Sequence, residues 1–254
     1  MLAIAHTAMA ADSFTLEKTV DLPPYAFEGR SLDIIGISPG QSPADTFKVL
    51  AERFGETRIE KRFMLIGTET VRSQEFDAVY KTEQKNESVS VTFATPSAGS
   101  GVLAVKRELK FDLDKGRPSI PDMVAELSRK YGEPSANYKD DFSNGRALVW
   151  YLGGRQECEG PDVMCYTGFG YRNYADSFEP QYYQSYIDAL EAGCDVAVFA
   201  RIAEAPAITD GKVRFLDILF VDLKRRGLTA KADLAAIQAA LDSFEKKPVA
   251  MPQL

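Results

Sequence analysis

One short pattern, present twice, constrains this chain more than any other feature. Residues 42–56 read SPADTFKVLAERFGE and residues 119–133 read SIPDMVAELSRKYGE. Ser42 aligns with Ser119, Asp45 with Asp122, Leu50 with Leu127, Gly55 with Gly132 and Glu56 with Glu133, while Arg53/Lys130 and Phe54/Tyr131 agree in kind. A repeat of this sort predicts two copies of one supersecondary unit. Each copy carries a full set of helix signals. Ser42 and Ser119 can accept from a backbone N–H at a helix start, with an aspartate three residues on as in a capping box. Pro43 sits at the first helical position, where an N–H would have no partner. Phe47, Leu50, Ala51 and Phe54 share one face, as do Met123, Val124, Leu127 and Tyr131. Gly55 and Gly132 then stop the helices, and Pro134 prevents the second from resuming.

The intervening segments read as strands. Residues 57–70 carry Ile59, Phe63 and Leu65. Val89, Val91 and Phe93 alternate with polar residues over 87–94, and Val105, Leu109, Phe111 and Leu113 do so over 102–113. Gly99-Ser100-Gly101 reads as the turn between them. In the second half, 147–152 (holding the single tryptophan, Trp150), 195–203 and 213–223 read as strands, and 181–192 as a helix. The last element, 231–244, is an amphipathic helix with Leu234, Ile237, Leu241 and Phe244 on one face and Thr229 as its cap. Helices precede runs of strands without strict βα alternation, which predicts an α+β fold. The expected organisation is two tandem units, each a helix or helices packed on an antiparallel sheet of three to four strands. Their bounds are 27–113 and 114–247, and the second holds a Tyr-rich insertion at 153–192.

Composition narrows the function. The net charge is −7, with no Lys/Arg cluster of the kind that phosphate binding needs, so nucleic acid is not an expected partner. No run of about 18 apolar residues exists, so no membrane-spanning helix is expected. Residues 1–10, MLAIAHTAMA, are apolar and end in Ala8-Met9-Ala10, the A-x-A form of a signal-peptidase site. They read as a signal-peptide remnant, which places the protein in the periplasm or secreted. No cysteine follows the site, so no lipid anchor is expected. The three cysteines, Cys158, Cys165 and Cys194, fit one disulfide and one spare thiol in an oxidising compartment, with all three pairings open.

Two stretches carry a family resemblance. Asp33 to Gly55, DIIGISPGQSPADTFKVLAERFG, resembles a recurrent bacterial envelope motif in which a small-residue turn introduces a helix ending in Gly. Similar openings occur in proteins with the β-lactamase-inhibitor-protein-like fold, among them the small lipoprotein of the outer-membrane β-barrel assembly machinery. Lys110 to Ser135 resembles uncharacterised exported proteobacterial proteins with a strand–turn–helix–KYG-x-PS stretch. The resemblance implies helices on three- or four-stranded antiparallel sheets, in two tandem units in the inhibitor itself. It carries fold further than function, because the matched residues are caps, apolar faces and stops.

Histidine sets the main chemical exclusion. The chain has one, His6, inside the segment expected to be removed. A mature protein without histidine has no Ser-His-Asp or Cys-His chemistry and no histidine zinc site. Cys158 and Cys165 are not at a usual zinc spacing, so no metal site is expected. No GxxxxGK[ST] and no GxGxxG after a strand occurs, and no cofactor is expected. Carboxylate pairs remain: Asp112/Asp114, Asp140/Asp141 and Asp217/Asp222. Asp217 interrupts the apolar run FLDILFVD, where burial would shift its pKa or a strand-edge position would leave it ordinary. Asp140-Asp141 reads as a solvated loop.

The most unusual composition lies between Tyr166 and Tyr186, where Tyr166, Phe169, Tyr171, Tyr174, Phe178, Tyr182, Tyr183 and Tyr186 are interleaved with Gly, Asn, Ser and Asp. Tyrosine supplies large amphipathic contact area at low entropy cost, so Tyr166, Phe169, Tyr171, Tyr174, Tyr182 and Tyr183 form a candidate recognition loop. The alternative is that these rings pack over their own sheet. The acidic balance around the loop favours a basic or neutral partner. The function expected from all of this is non-enzymatic binding of an unknown envelope protein, through the Tyr-rich loop and the concave face of the sheet. The alternatives are an inhibitor of a secreted or periplasmic hydrolase and, less favoured, a carboxylate-dependent enzyme.

Overall fold

In the computed structural model, which describes residues 12–21, 32–66, 71–113, 116–140, 144–152, 183–204 and 210–245, both repeat segments are helices. They are α1 (Pro43–Phe54) and α2 (Ile120–Tyr131). Ser42 Oγ accepts from the Asp45 N–H at 3.1 Å, and Ser119 Oγ accepts from the Asp122 N–H at the same distance. The aspartate side chains, shorter than the glutamate of a full capping box, accept the serine hydroxyls instead, at 2.7 and 2.6 Å. Gly55 and Gly132 take φ of 80° and 87°, a region open to glycine at little cost, and donate to the Ala51 and Ser128 carbonyls. Ser42→Ala and Ser119→Ala are each expected to lower stability by about 1 kcal/mol in urea unfolding. The two caps share no hydrogen-bond partner, so the losses should add; a double variant as stable as wild type would contradict this account of the ends.

Eleven strands are described: β1 (Asp12–Phe14), β2 (Arg58–Arg62), β3 (Leu65–Ile66), β4 (Val71–Ser73), β5 (Phe76–Gln84), β6 (Glu87–Phe93), β7 (Val102–Lys110), β8 (Ala136–Asp140), β9 (Gly145–Leu152), β10 (Val196–Ala203) and β11 (Phe215–Asp222). Two further helices are α3 (Tyr183–Glu191) and α4 (Leu223–Glu245). The fold is α+β, as expected. Eight strands form one antiparallel sheet in the order β2-β5-β6-β7-β11-β10-β9-β8, and β1, β4 and β3 form a small second sheet. The central seam is the antiparallel β7–β11 pair, in which Lys110 meets Phe215 and Ala104 meets Val221. None of the described helices is long and apolar enough to cross a membrane.

Partners across an antiparallel ladder share a face. One register row runs Tyr80, Val91, Val105, Phe220, Val198, Trp150. This face is covered: Leu50 of α1 and Leu127 and Tyr131 of α2 belong to the same buried cluster. Trp150 Nε1–H donates to the Gly132 carbonyl at 2.8 Å, which joins the end of α2 to the sheet. Phe47, expected on the buried face of α1, is 41% exposed and stands edge-on to Tyr80, while Thr46 is buried in its place. On the opposite face, α3 and α4 cover one end, where Tyr183, Tyr186, Ile187 and Ala230 pack with Phe76, Ala78 and Val79.

Several elements differ from the sequence reading: β1 and β4 are short strands it did not name, and 57–70 holds two strands, β2 and β3. Strands β5 and β8 are additional to it. The last helix begins at Leu223, eight residues before the expected Lys231, because Asp222 supplies the N-terminal hydrogen bond: its Oδ1 accepts from the Arg225 N–H at 2.7 Å. Thr229 lies inside the helix and donates from Oγ1 to the Arg225 carbonyl at 2.7 Å, so it caps nothing.

Candidate functional site

The face opposite α1 and α2 is open over β2, β5, β6 and β7, where it forms a cleft of about 440 Å³. Its chemistry follows from strand register. One row holds Arg58, Lys81, Ser90 and Lys106. The next row, two residues along each strand, holds Glu83, Ser88 and Glu108, and Glu56 lines the same cleft beside them. A basic row therefore runs beside an acidic row, on rigid strands. The side chains remain accessible: Arg58 is 79% exposed, Lys81 39%, Lys106 40% and Glu108 48%.

An ion pair joins the rows. Lys106 Nζ lies 2.7 Å from Glu108 Oε1 across the two rows, while Lys81 Nζ lies 3.1 Å from Oε1 of Glu60, which stands on the other side of the basic row opposite Val79. Ser88 Oγ donates to Glu108 Oε2 at 2.9 Å. Partial burial opposes the charge on Glu108, but the hydrogen bonds from Lys106 and Ser88 prevail and hold its pKa below the usual value. Asp217 stands opposite Glu108 on β11. Its pKa is raised, first by burial and then by the Glu108 charge. The FLDILFVD interruption is thus a partly buried carboxylate on a central strand, not one at a sheet edge. This arrangement can engage charged and hydroxyl groups of a partner along several strands at once.

A second polar cluster lies under α4. Asp233 is fully buried and accepts from Thr95 Oγ1 at 2.7 Å, Ser97 Oγ at 2.6 Å and the Tyr183 hydroxyl at 3.0 Å. Burial raises its pKa to about 6 against the three hydrogen bonds, which act the other way. Sequence reasoning named neither this cluster nor the charged rows. A linear trace of the rows exists: Lys81-x-Glu83 and Lys106-x-Glu108 each place opposite charges on one face of a strand, and Glu56-x-Arg58 does so at the entry to β2.

The residues singled out from sequence are distributed differently. Tyr166, Phe169, Tyr171, Tyr174, Phe178 and Tyr182 lie outside the described residues, as do Cys158, Cys165, Asp114, Asp141 and His6. Tyr183 is 3% exposed and Tyr186 4%, so these two rings pack in the core. Cys194 is 1% exposed, in a cluster with Ala197, Phe199 and Val221. Asp112 accepts from Asn86 Nδ2 at 3.0 Å. Asp140 ends β8 and pairs with Arg201 Nε at 2.9 Å, because the β8-β9-β10 order brings them together; it is not the solvated loop residue expected. Asp222 caps α4 and approaches Arg225 Nε at 3.3 Å. Among the described residues no group of three His, Cys, Asp or Glu side chains could hold a metal.

Comparison with known proteins adds no relative: no family model matches the chain, and no curated protein or solved structure matches it.

Proposed function

We propose that this chain is a non-enzymatic protein-binding protein of the bacterial envelope, periplasmic or secreted, whose partner docks on the open face of the sheet. The observation that carries this reading is the pair of exposed charged rows on β2, β5 and β7, held side by side on a rigid sheet and left uncovered by α1 and α2. Complementary charge on a preformed surface selects and orients a partner more than it binds tightly. Strand order supports the tandem-unit reading that goes with it. Helix α1 precedes β2, β5, β6 and β7, helix α2 precedes β8 to β11, and the two sets meet at their last strands. An inhibitor of a secreted hydrolase would use the same face, with an enzyme as the partner.

The test is affinity capture on native envelope extract. The chain serves as bait beside a control in which Lys81, Glu83, Lys106 and Glu108 are all changed to alanine. A partner held by the wild type and lost by the control is the expected result. A partner retained equally by both moves the site elsewhere, and no partner in either leaves the chain without a binding role.

One disulfide belongs to the same proposal, with the buried Cys194 paired to Cys158 or Cys165. Thiol titration of the unfolded, unreduced protein purified from an oxidising compartment should then find a single thiol among the three cysteines. Three free thiols would refute the pairing.

A further inference from the structure

We propose that the open face is the interface of a symmetric dimer, in which the two charged rows of one copy of this chain meet those of a second copy in opposite order. The proposal rests on the reading of this face as a protein-binding surface and names the partner. β5 and β7 each carry a basic and an acidic residue two positions apart, Lys81 and Glu83, Lys106 and Glu108, and Arg58 at the start of β2 has Glu56 two positions before it. The strand between β5 and β7, β6, carries Ser90 in the basic row and Ser88 in the acidic row. Between the two rows each of these columns is therefore its own complement, with Glu60 lying outside them, beside Lys81 and Arg58. A two-fold axis lying across the strands, midway between the rows, places Lys81 over the second copy's Glu83 and Lys106 over its Glu108. The same operation seats Arg58 over Glu56 and serine over serine. Such an axis generates an isologous, closed interface.

The dimensions agree. Residues two apart on a strand stand about 7 Å from each other, and facing sheets pack about 10 Å apart, a gap that one lysine and one glutamate span together. The cleft lining itself holds three basic and three acidic side chains, with Asp217 and Glu60 at its margins, although the chain as a whole carries −7. Self-association through the lining residues therefore brings no excess of either charge together. Helices α3 and α4 sit beyond the Val79 end of the basic row. The two-fold operation sends the second copy's α3 and α4 past the opposite side of the rows.

Exposed ion pairs contribute little affinity each and are screened by salt. The expected dimer is accordingly weak and salt-sensitive, with charge fixing its register. Analytical ultracentrifugation of the whole chain over a concentration series, at about 0.05 M and about 0.5 M salt, tests it. Wild type should associate at low salt and separate at high salt. Two variants, Lys81→Glu with Lys106→Glu and Glu83→Lys with Glu108→Lys, should each raise the dissociation constant about tenfold or more. Their equimolar mixture should recover a dimer containing one copy of each, and that recovery also shows both variants to be folded. Overturning results are a wild type that stays monomeric throughout, variants that associate undiminished, or two folded variants whose mixture fails to associate. A monomeric wild type whose captured partner is still lost on alanine substitution would end the dimer proposal and leave the binding reading standing.

Discussion

Gly227→Ala should cost this protein about 2–3 kcal/mol, although alanine is the better helix former by about 1 kcal/mol. Gly227 lies within α4 where that helix crosses α3. A Cβ at this position would stand 2.5 Å from Leu190 Cβ and 2.6 Å from the Tyr186 carbonyl oxygen. Neither obstacle can swing aside, since one is backbone and the other is the first atom of a side chain. The whole of α3 would have to move away. Tyr183 would move with it, and so would Tyr186, whose ring carries the Arg226 guanidinium at 4.1 Å. Overpacking of this kind exceeds the propensity gain, so the net effect is destabilising. Thermal unfolding should show the melting temperature falling by roughly 5–10 °C. A variant as stable as wild type would mean that α3 and α4 do not cross this closely.

Asp233 should make stability depend on pH in a direction opposite to that of most carboxylates. It is fully buried, and its three hydrogen-bond donors are all neutral hydroxyls. Its folded pKa, about 6, lies above the ordinary 3.8. The folded chain therefore holds this proton after the unfolded chain has released it. The associated stability is fully present below about pH 4 and is lost as pH rises through 6, by on the order of 3 kcal/mol. Tyr183, which donates to it, is held above its usual pKa by burial and keeps its proton throughout that window. Asp233→Asn keeps the shape and cannot titrate. The stability difference between wild type and Asp233→Asn should thus slope across pH 4–6 and be flat above about 7, with Asn the equal or better residue there. Asp233→Ala instead strands three buried hydroxyls and should lose about 3 kcal/mol or more at pH 5. Urea unfolding at a series of pH values measures both, and a flat difference curve for the asparagine variant would refute the assignment.

Much of the fold was legible because α1 and α2 carry local signals that tertiary structure did not overrule. Serine cap, aspartate, apolar face and glycine stop all act where the sequence places them. Strand β5 was not legible, because its first residues are buried toward both faces and Phe76 to Tyr80 show no alternation for a period to reveal. Strand β8, ANYKD, is a polar edge with no buried side to mark it. The start of α4 was hidden by KRRG, which reads as a loop because the packing that makes Gly227 useful comes from α3, far away in the chain. The charged rows were invisible for a related reason. Arg58, Lys81 and Lys106 lie on separate strands and become neighbours only when register is known. Asp233 is likewise tied to Thr95 and Ser97 across 138 and 136 positions of chain. Long-range partners of this kind leave no local pattern.

The β7–β11 seam also bears on how the chain matures during synthesis. The first half can assemble α1 with β2, β5, β6 and β7 as soon as they emerge, since these contacts are short in sequence. Strand β7 then waits, with a row of unsatisfied amides and carbonyls along one side, until β11 arrives after α2, β8, β9, α3 and β10 have been made. An unpaired edge next to Val102, Leu103, Ala104 and Val105 is a template for pairing with other chains. What becomes the centre of the finished sheet is thus the newborn protein's point of greatest aggregation hazard. Holdase chaperones should matter to its yield more than its final stability suggests.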